Sequence, residues 1–452
     1  MDRRSFIKKT TITTAGVIAA PYILPSGRLF AATGSQLAEH VVFVLMAGGV
    51  RQQESILQGY LETSQGLFIN NLNFPGNVMY NLFDGAPPSS KIVYGTTTNI
   101  SGDTPIPKIL NQTLQKQGSV FRELKADRVG HFAGLNALLT GNYDYAQGLR
   151  QKPLFPTIFE YARKHLGIPA TKTWFIGTGI MNSVPLLNYS IDSSYGAEYG
   201  ANFFAPGITF GDQGKEHLDD AKSFHPEEEL DLIYRVKYFL NNVWMSSGKD
   251  ILSIKNTEEE KYQIKTFIEN IFDKKAVGDL VMPPISDSND LTNIGYCCEV
   301  LKEFEPTLTV INMNDVDGCH SSFTGYLKSL HRADHGVGFL WDYIQNNIPK
   351  MSGNTIMIAI PEHGRNINPN PIMDENDWKG YDHSDQNSQR VFGLMVGPNV
   401  DADRWIENST DPNTPIGNII DGVPTIADIL GFPEVKNLGY IRSDAQSFFD
   451  KL

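Results

Sequence analysis

Short, unbroken apolar runs, each ending abruptly in a turn, recur along this 452-residue chain. His40-Val-Val-Phe-Val-Leu-Met46 breaks into Ala47-Gly48-Gly49. Lys172–Gly177, Thr307–Asn312, Thr355–Ile360 and Gln389–Gly397 repeat the form. Apolar runs of this length that do not alternate predict strands buried on both faces. Between them lie stretches at helical spacing. Residues 321–347 place Tyr326, Leu330, Val337, Leu340, Trp341 and Ile344 on one face. Pro153–Gly167 and Asp421–Gly431 each carry proline near the start and glycine at the stop. Leu135, Leu138 and Leu139, with Gly141 as C-cap, predict a short helix beginning near His131. Helices alternating with buried strands predict an α/β fold. Residues 52–125 predict irregular structure and short helices. Residues 185–300 read as an insertion, with a Gly/Tyr/Phe-rich piece at 194–214 and charged amphipathic helices near 226–244 and 257–274.

Composition adds little to that picture, but charge and the N-terminus change it. Hydrophobic residues make up 41% and charged residues 20%, which suits a folded domain. A net charge of −13 argues against nonspecific binding to nucleic acid or anionic lipid. Asp2-Arg3-Arg4-Ser5-Phe6-Ile7-Lys8-Lys9, followed by a mildly apolar stretch, resembles a twin-arginine export signal. Pro21 and nearby small residues argue against a retained membrane span. Cleavage after residue 32 leaves 33 basic against 50 acidic residues, a balance of −17. The expected partner at this stage is the twin-arginine (Tat) export machinery, and the expected location is the periplasm or cell surface. Cys297, Cys298 and Cys319 form no disulfide framework and read as buried thiols, with a bridge from Cys319 to one of the pair left open.

The candidate chemistry sits just past the strand ends. Open α/β sheets bind ligands at the carboxyl ends of their strands. There the chain places Asp315, Asp317 and His320 after one run, and Glu362, His363 and Arg365 after another. His383 lies on the following loop. Mixed imidazole and carboxylate donors suit zinc, manganese or iron better than a structural thiolate site. His331 and His335, four apart on the long helix, read as an exposed face, with a metal site as the alternative. Arg365 is a candidate for binding an anionic group or a solvated loop residue.

In this order the motifs resemble the alkaline phosphatase superfamily, which includes sulfatases and phosphodiesterases. Leu138-Leu-Thr-Gly-Asn-Tyr143 is similar to the segment after the sulfatase nucleophile, and Pro156–Arg163 to the helix that follows it. Asp315-Val-Asp-Gly-Cys-His320 resembles the Asp-x-x-Gly-His ligand loop with one residue inserted, and Ile360–Gly364 resembles Ser-Asp-His-Gly. His383 with Val396-Gly-Pro398 resembles the last histidine and its strand, and Asp421–Gly431 the C-terminal Asp-x-x-Pro-Thr helix. The resemblance implies a three-layer α/β/α sandwich with a mostly parallel central sheet, over residues 33–452, behind a signal at 1–32. It implies a metal-dependent hydrolase of phosphate or sulfate esters. Asp315 (or Asp317), His320 and His383 would hold one divalent ion, and Glu362 and His363 would contribute to a second. Zinc comes first, with manganese, calcium or iron as alternatives. Two positions depart from the pattern: Ala47 stands where the family has a ligand aspartate, and His131 where it has a hydroxyl or thiol nucleophile. The departures imply one ion rather than two. They leave His131 open as nucleophile, ligand, acid–base group or packed relic, with Glu54 read as a solvated loop acid and a stand-in for the lost aspartate as its alternative. They also raise a second function, a catalytically silent member acting as a binding or assembly component.

Overall fold

A computed structural model describes residues 35–60, 74–87, 105–146, 152–177, 187–210, 254–407 and 414–452. The export signal at 1–32 and the helix expected near 226–244 lie outside these residues. Nine strands form one sheet: β1 His40–Met46, β2 Gly118–Lys125, β3 Thr173–Ile176, β4 Asn202–Phe204, β5 Leu308–Met313, β6 Thr355–Pro361, β7 Arg390–Val396, β8 Arg404–Ile406 and β9 Gly417–Asn418. Their order is β8-β2-β7-β6-β1-β5-β3-β4, with β9 beside β2. Every pairing is parallel except the two made by β7, which runs against β6 and β2.

The three layers follow from side-chain alternation along β1, buried on both faces. Val42, Val44 and Met46 join one apolar cluster with α3 (Glu258–Val277), α4 (Asn289–Phe304) and α5 (Phe323–Asn347). Val41, Phe43 and Leu45 join a second with α1 (His131–Thr140), α2 (Ile158–Leu166) and α6 (Gly422–Leu430). The helix ends obey local chemistry. α1 stops at Gly141 and α2 at Gly167, both in the left-handed region where glycine has no Cβ to clash. The proline start expected for α2 gives way to a capping box of Thr157 and Glu160, so the helix begins at Ile158.

Several expectations change here. The stretch 52–125 contains β2, a strand of eight residues carrying Val120, Phe121 and Leu124 into the core. Its polar inserts Arg122 and Glu123 hide it from a search for apolar runs: Glu123 pairs with Arg390 on β7 at 2.8 Å. The described parts of 185–300 are integral to the fold. β4 extends the sheet beside β3, and α4 lies against the same face as α5. His331 and His335 are buried, not exposed. His331 Nδ1 lies 2.7 Å from the Val78 carbonyl, and its Nε2 accepts the Ile106 amide at 3.0 Å. Neighbouring Asp334 accepts the Asn81 and Leu82 amides. Loop segments thus cover a helix face whose polarity suggested solvent. Glu54 is buried as well, ion-paired with Arg51 at 2.5 Å. All three cysteines are buried and free. No described helix is long and apolar enough to cross a membrane.

Candidate metal centre

Register brings the candidate residues together. Met46 on β1 stands opposite Met313 on β5 and Pro361 on β6. The three strands therefore end at one edge, and the turns after them, starting at Ala47, Asn314 and Glu362, converge. Helix α1 approaches the same edge. A Cβ on Gly134 would lie 3.0 Å from the Glu362 carbonyl, so its absence lets the first turn settle onto β6. His131, three residues earlier and on the same helix face, meets the Glu362 side chain.

Glu362 is the buried hub. Its Oε1 accepts the Gly48 amide at 2.6 Å and lies 2.7 Å from His131 Nδ1 and 3.2 Å from His363 Nε2. Burial opposes its ionisation, but the imidazoles of His363 and His131 overcome that and hold its pKa at about 2. Burial likewise opposes charge on His131, yet the hydrogen bond and charge of Glu362, with Asp317 nearby, raise its pKa above the usual imidazole value. His383 goes the other way. Burial, with His363, Arg365, His131 and His320 around it, depresses its pKa to about 3. At neutral pH the centre therefore holds an ionised Glu362 and an uncharged His383.

The outer partners settle which nitrogen His320 offers. His320 Nδ1 lies 2.6 Å from Asp382 Oδ1, and His363 Nδ1 lies 2.7 Å from the Gly364 carbonyl. The His320 Nδ1 faces an acceptor and carries the proton, leaving its Nε2 a lone pair, whereas His363 faces acceptors at both ring nitrogens, since its Nε2 also lies 3.2 Å from Glu362 Oε1. His131 lies between two carboxylates, its Nδ1 2.7 Å from Glu362 Oε1 and its Nε2 3.4 Å from Asp317 Oδ1. Among the described residues, two trios have ligand atoms within 4.8 Å of one another: His131, His320 and His383, and His131, Glu362 and His363.

The sequence-derived set is thus mostly assembled, with two exceptions. Asp315 turns away, its Oδ2 accepting the Asp290 amide at 3.0 Å at the start of α4. Asp317 takes the inward position, with Oδ1 at 3.4 Å from His131 Nε2 and 3.5 Å from His320 Nε2. Arg365 is fully buried, not a solvated loop arginine. It donates to Asp317 Oδ1 at 2.7 Å, to the Tyr381 carbonyl at 3.0 Å and to the Gly48 carbonyl. These bonds make it an internal countercharge and leave its anion-binding role without a free face. Ala47 packs into the second apolar cluster, and the adjacent Gly48 amide reaches Glu362 instead. Asp382 and the Gly48 amide were not foreseen. Asp382 sits directly before His383, but its partner His320 is remote in sequence.

The donor set fits a divalent cation. Glu362 Oε2 and His383 Nδ1 are buried and lack hydrogen-bond partners, as ligand atoms awaiting an ion would. Imidazoles beside a carboxylate match zinc's preferences. No protein-family model matches the sequence, and no curated protein compared with it matches either. Among solved structures it is similar to a mutant of the alkaline phosphatase PafA, at 10% identity over 93% of this chain and 100% of that one, TM-score 0.45. It is similar to an alkaline phosphatase superfamily protein from Vibrio parahaemolyticus, at 13% identity over 95% and 76%, TM-score 0.39. It is also similar to the PsFucS1 sulfatase from Pseudoalteromonas sp., at 11% identity over 90% and 70%, TM-score 0.38. Each of these similarities has a TM-score below 0.5.

Proposed function

We propose that the chain is an exported hydrolase of phosphate or sulfate esters that works with one divalent ion, zinc in the first instance. The observation that carries this is the convergence of four imidazoles, Asp317 and Glu362 at one sheet edge, with two buried ligand atoms left without partners. His131, His320 and His383 would hold the ion. When bound, it would act as a Lewis acid toward an anionic ester oxygen. The chain's own groups prepare that site. Glu362 fixes the His131 ring through Nδ1, which turns Nε2 toward Asp317. Arg365 holds Asp317 in place and adds a buried positive charge. Helix α1 starts at His131 without a side-chain cap, so its free first-turn amides favour an anion at the same edge.

A specific observation favours the second reading, a catalytically silent binding or assembly component. Glu362 Oε1 and Asp317 Oδ1 are already engaged by protein groups, and His131 stands where the resemblance places a hydroxyl or thiol nucleophile. Metal content of the purified exported protein, with turnover of generic phosphate and sulfate esters, separates the two. Bound metal and turnover, both lost in His320→Ala and His383→Ala, support the hydrolase. Metal without turnover supports the silent component, and neither metal nor turnover overturns the metal centre.

A further inference from the structure

We infer that Asp382 is a positioning residue: it fixes the tautomer and orientation of His320 so that Nε2 faces the cluster. The inference rests on the metal-centre reading for its consequence but not for its geometry. Asp382 Oδ1 lies 2.6 Å from His320 Nδ1 and also accepts Asn370 Nδ2 at 3.1 Å. Asn370 Nδ2 donates as well to the His320 carbonyl at 2.9 Å, so one amide ties the carboxylate to the backbone of the residue it orients. The Tyr381 amide donates to the Cys319 carbonyl at 2.9 Å, joining the two loops one residue further back. A Cβ on Gly380 would meet the Cys319 and His320 carbonyls at 2.6 Å, so the loops lie as close as glycine permits. The arrangement makes one dipeptide do two jobs. Asp382 aims His320, and His383 enters the trio beside it. A carboxylate behind an imidazole ligand also raises the basicity of the free nitrogen, and its loss typically weakens metal binding by about 10- to 100-fold. With its side chain 48% exposed, Asp382 can be replaced without opening the core.

The test uses the full chain with Asp382→Ala and Asp382→Glu, stripped of metal by a chelator. Nitrogen chemical shifts of the His320 ring report its tautomer, and competition with a chromophoric chelator reports Zn2+ affinity. Wild type should show a protonated Nδ1. Asp382→Ala should show a mixture of tautomers with an unchanged melting temperature, and about 10- to 100-fold weaker Zn2+ binding. Asp382→Glu should recover part of both. A His320 tautomer identical in wild type and Asp382→Ala overturns the inference. Absence of Zn2+ binding in wild type, with the tautomer shift still present, overturns the metal-centre reading and leaves the positioning role supported.

Discussion

At the scale of single residues, the centre is a balance of protonation states. His383 has a folded pKa near 3, and buried His331 and His335 near 4. Below pH 6.5 the unfolded chain takes up protons that these folded rings refuse, so stability falls as pH drops from 6.5 toward the folded values. Glu362 has the same sense: its contribution is complete above 4.5 and is lost on the way down to about 2. His131 has the opposite sense, its contribution being present below 6.5 and lost as pH rises through its elevated folded value. The metal-free protein should therefore melt at progressively lower temperature from pH 7 to pH 4, and His383→Gln should flatten that slope. Equal slopes in the two proteins would show that His383 is not held neutral. The sequence makes the ligand types legible because charged and imidazole residues directly follow apolar runs. It cannot choose between Asp315 and Asp317, because that choice depends on Arg365 and on the Asp290 amide, both distant in the chain.

At the scale of elements, turns and caps do the positioning. Gly49 has φ of +86°, and a Cβ there would lie 2.5 Å from His363 Nδ1. Gly49→Ala should cost roughly 1–3 kcal/mol from backbone strain alone and should also displace His363. Chemical denaturation and a Zn2+ titration would both register the change, and a variant matching wild type in both would show that the turn relaxes freely. Helix α4 is capped by Ser288, whose hydroxyl accepts the Leu291 amide. Ser288→Ala should lower stability by about 1 kcal/mol in urea unfolding. Core strands and the α5 face were readable because their periodicity is a local signal. β2 was not, since Arg122 and Glu123 interrupt its apolar pattern while their partners, Glu407 and Arg390, lie far downstream. Burial of His331 was hidden for a similar reason: the segments that cover it precede it by more than 200 residues.

At the scale of the whole molecule, the centre gathers residues from after β1, β5 and β6 and from α1, so its occupancy should be felt by the entire fold. An ion that binds only the folded chain stabilises it by about 2.7 kcal/mol at a free concentration 100 times its Kd. Calorimetry should show a higher melting temperature with Zn2+ and a return to the metal-free value on chelation. No shift would mean that the histidines hold no ion in the folded state. Within the nine-stranded sheet of the described residues, β7 runs against both its neighbours, with a further consequence. Because β6 and β7 are antiparallel, the chain between Pro361 and Arg390 leaves and re-enters the sheet at one end. That excursion carries Glu362, His363, Arg365, Asp382 and His383. Closing such a loop costs entropy that grows only slowly with its length. Its outer portion around Ile372 and Met373, both about half exposed, is folded back on itself by the Gly380 amide to the Ile372 carbonyl and tied to the start of α5 by Asp374, which accepts the Thr324 amide.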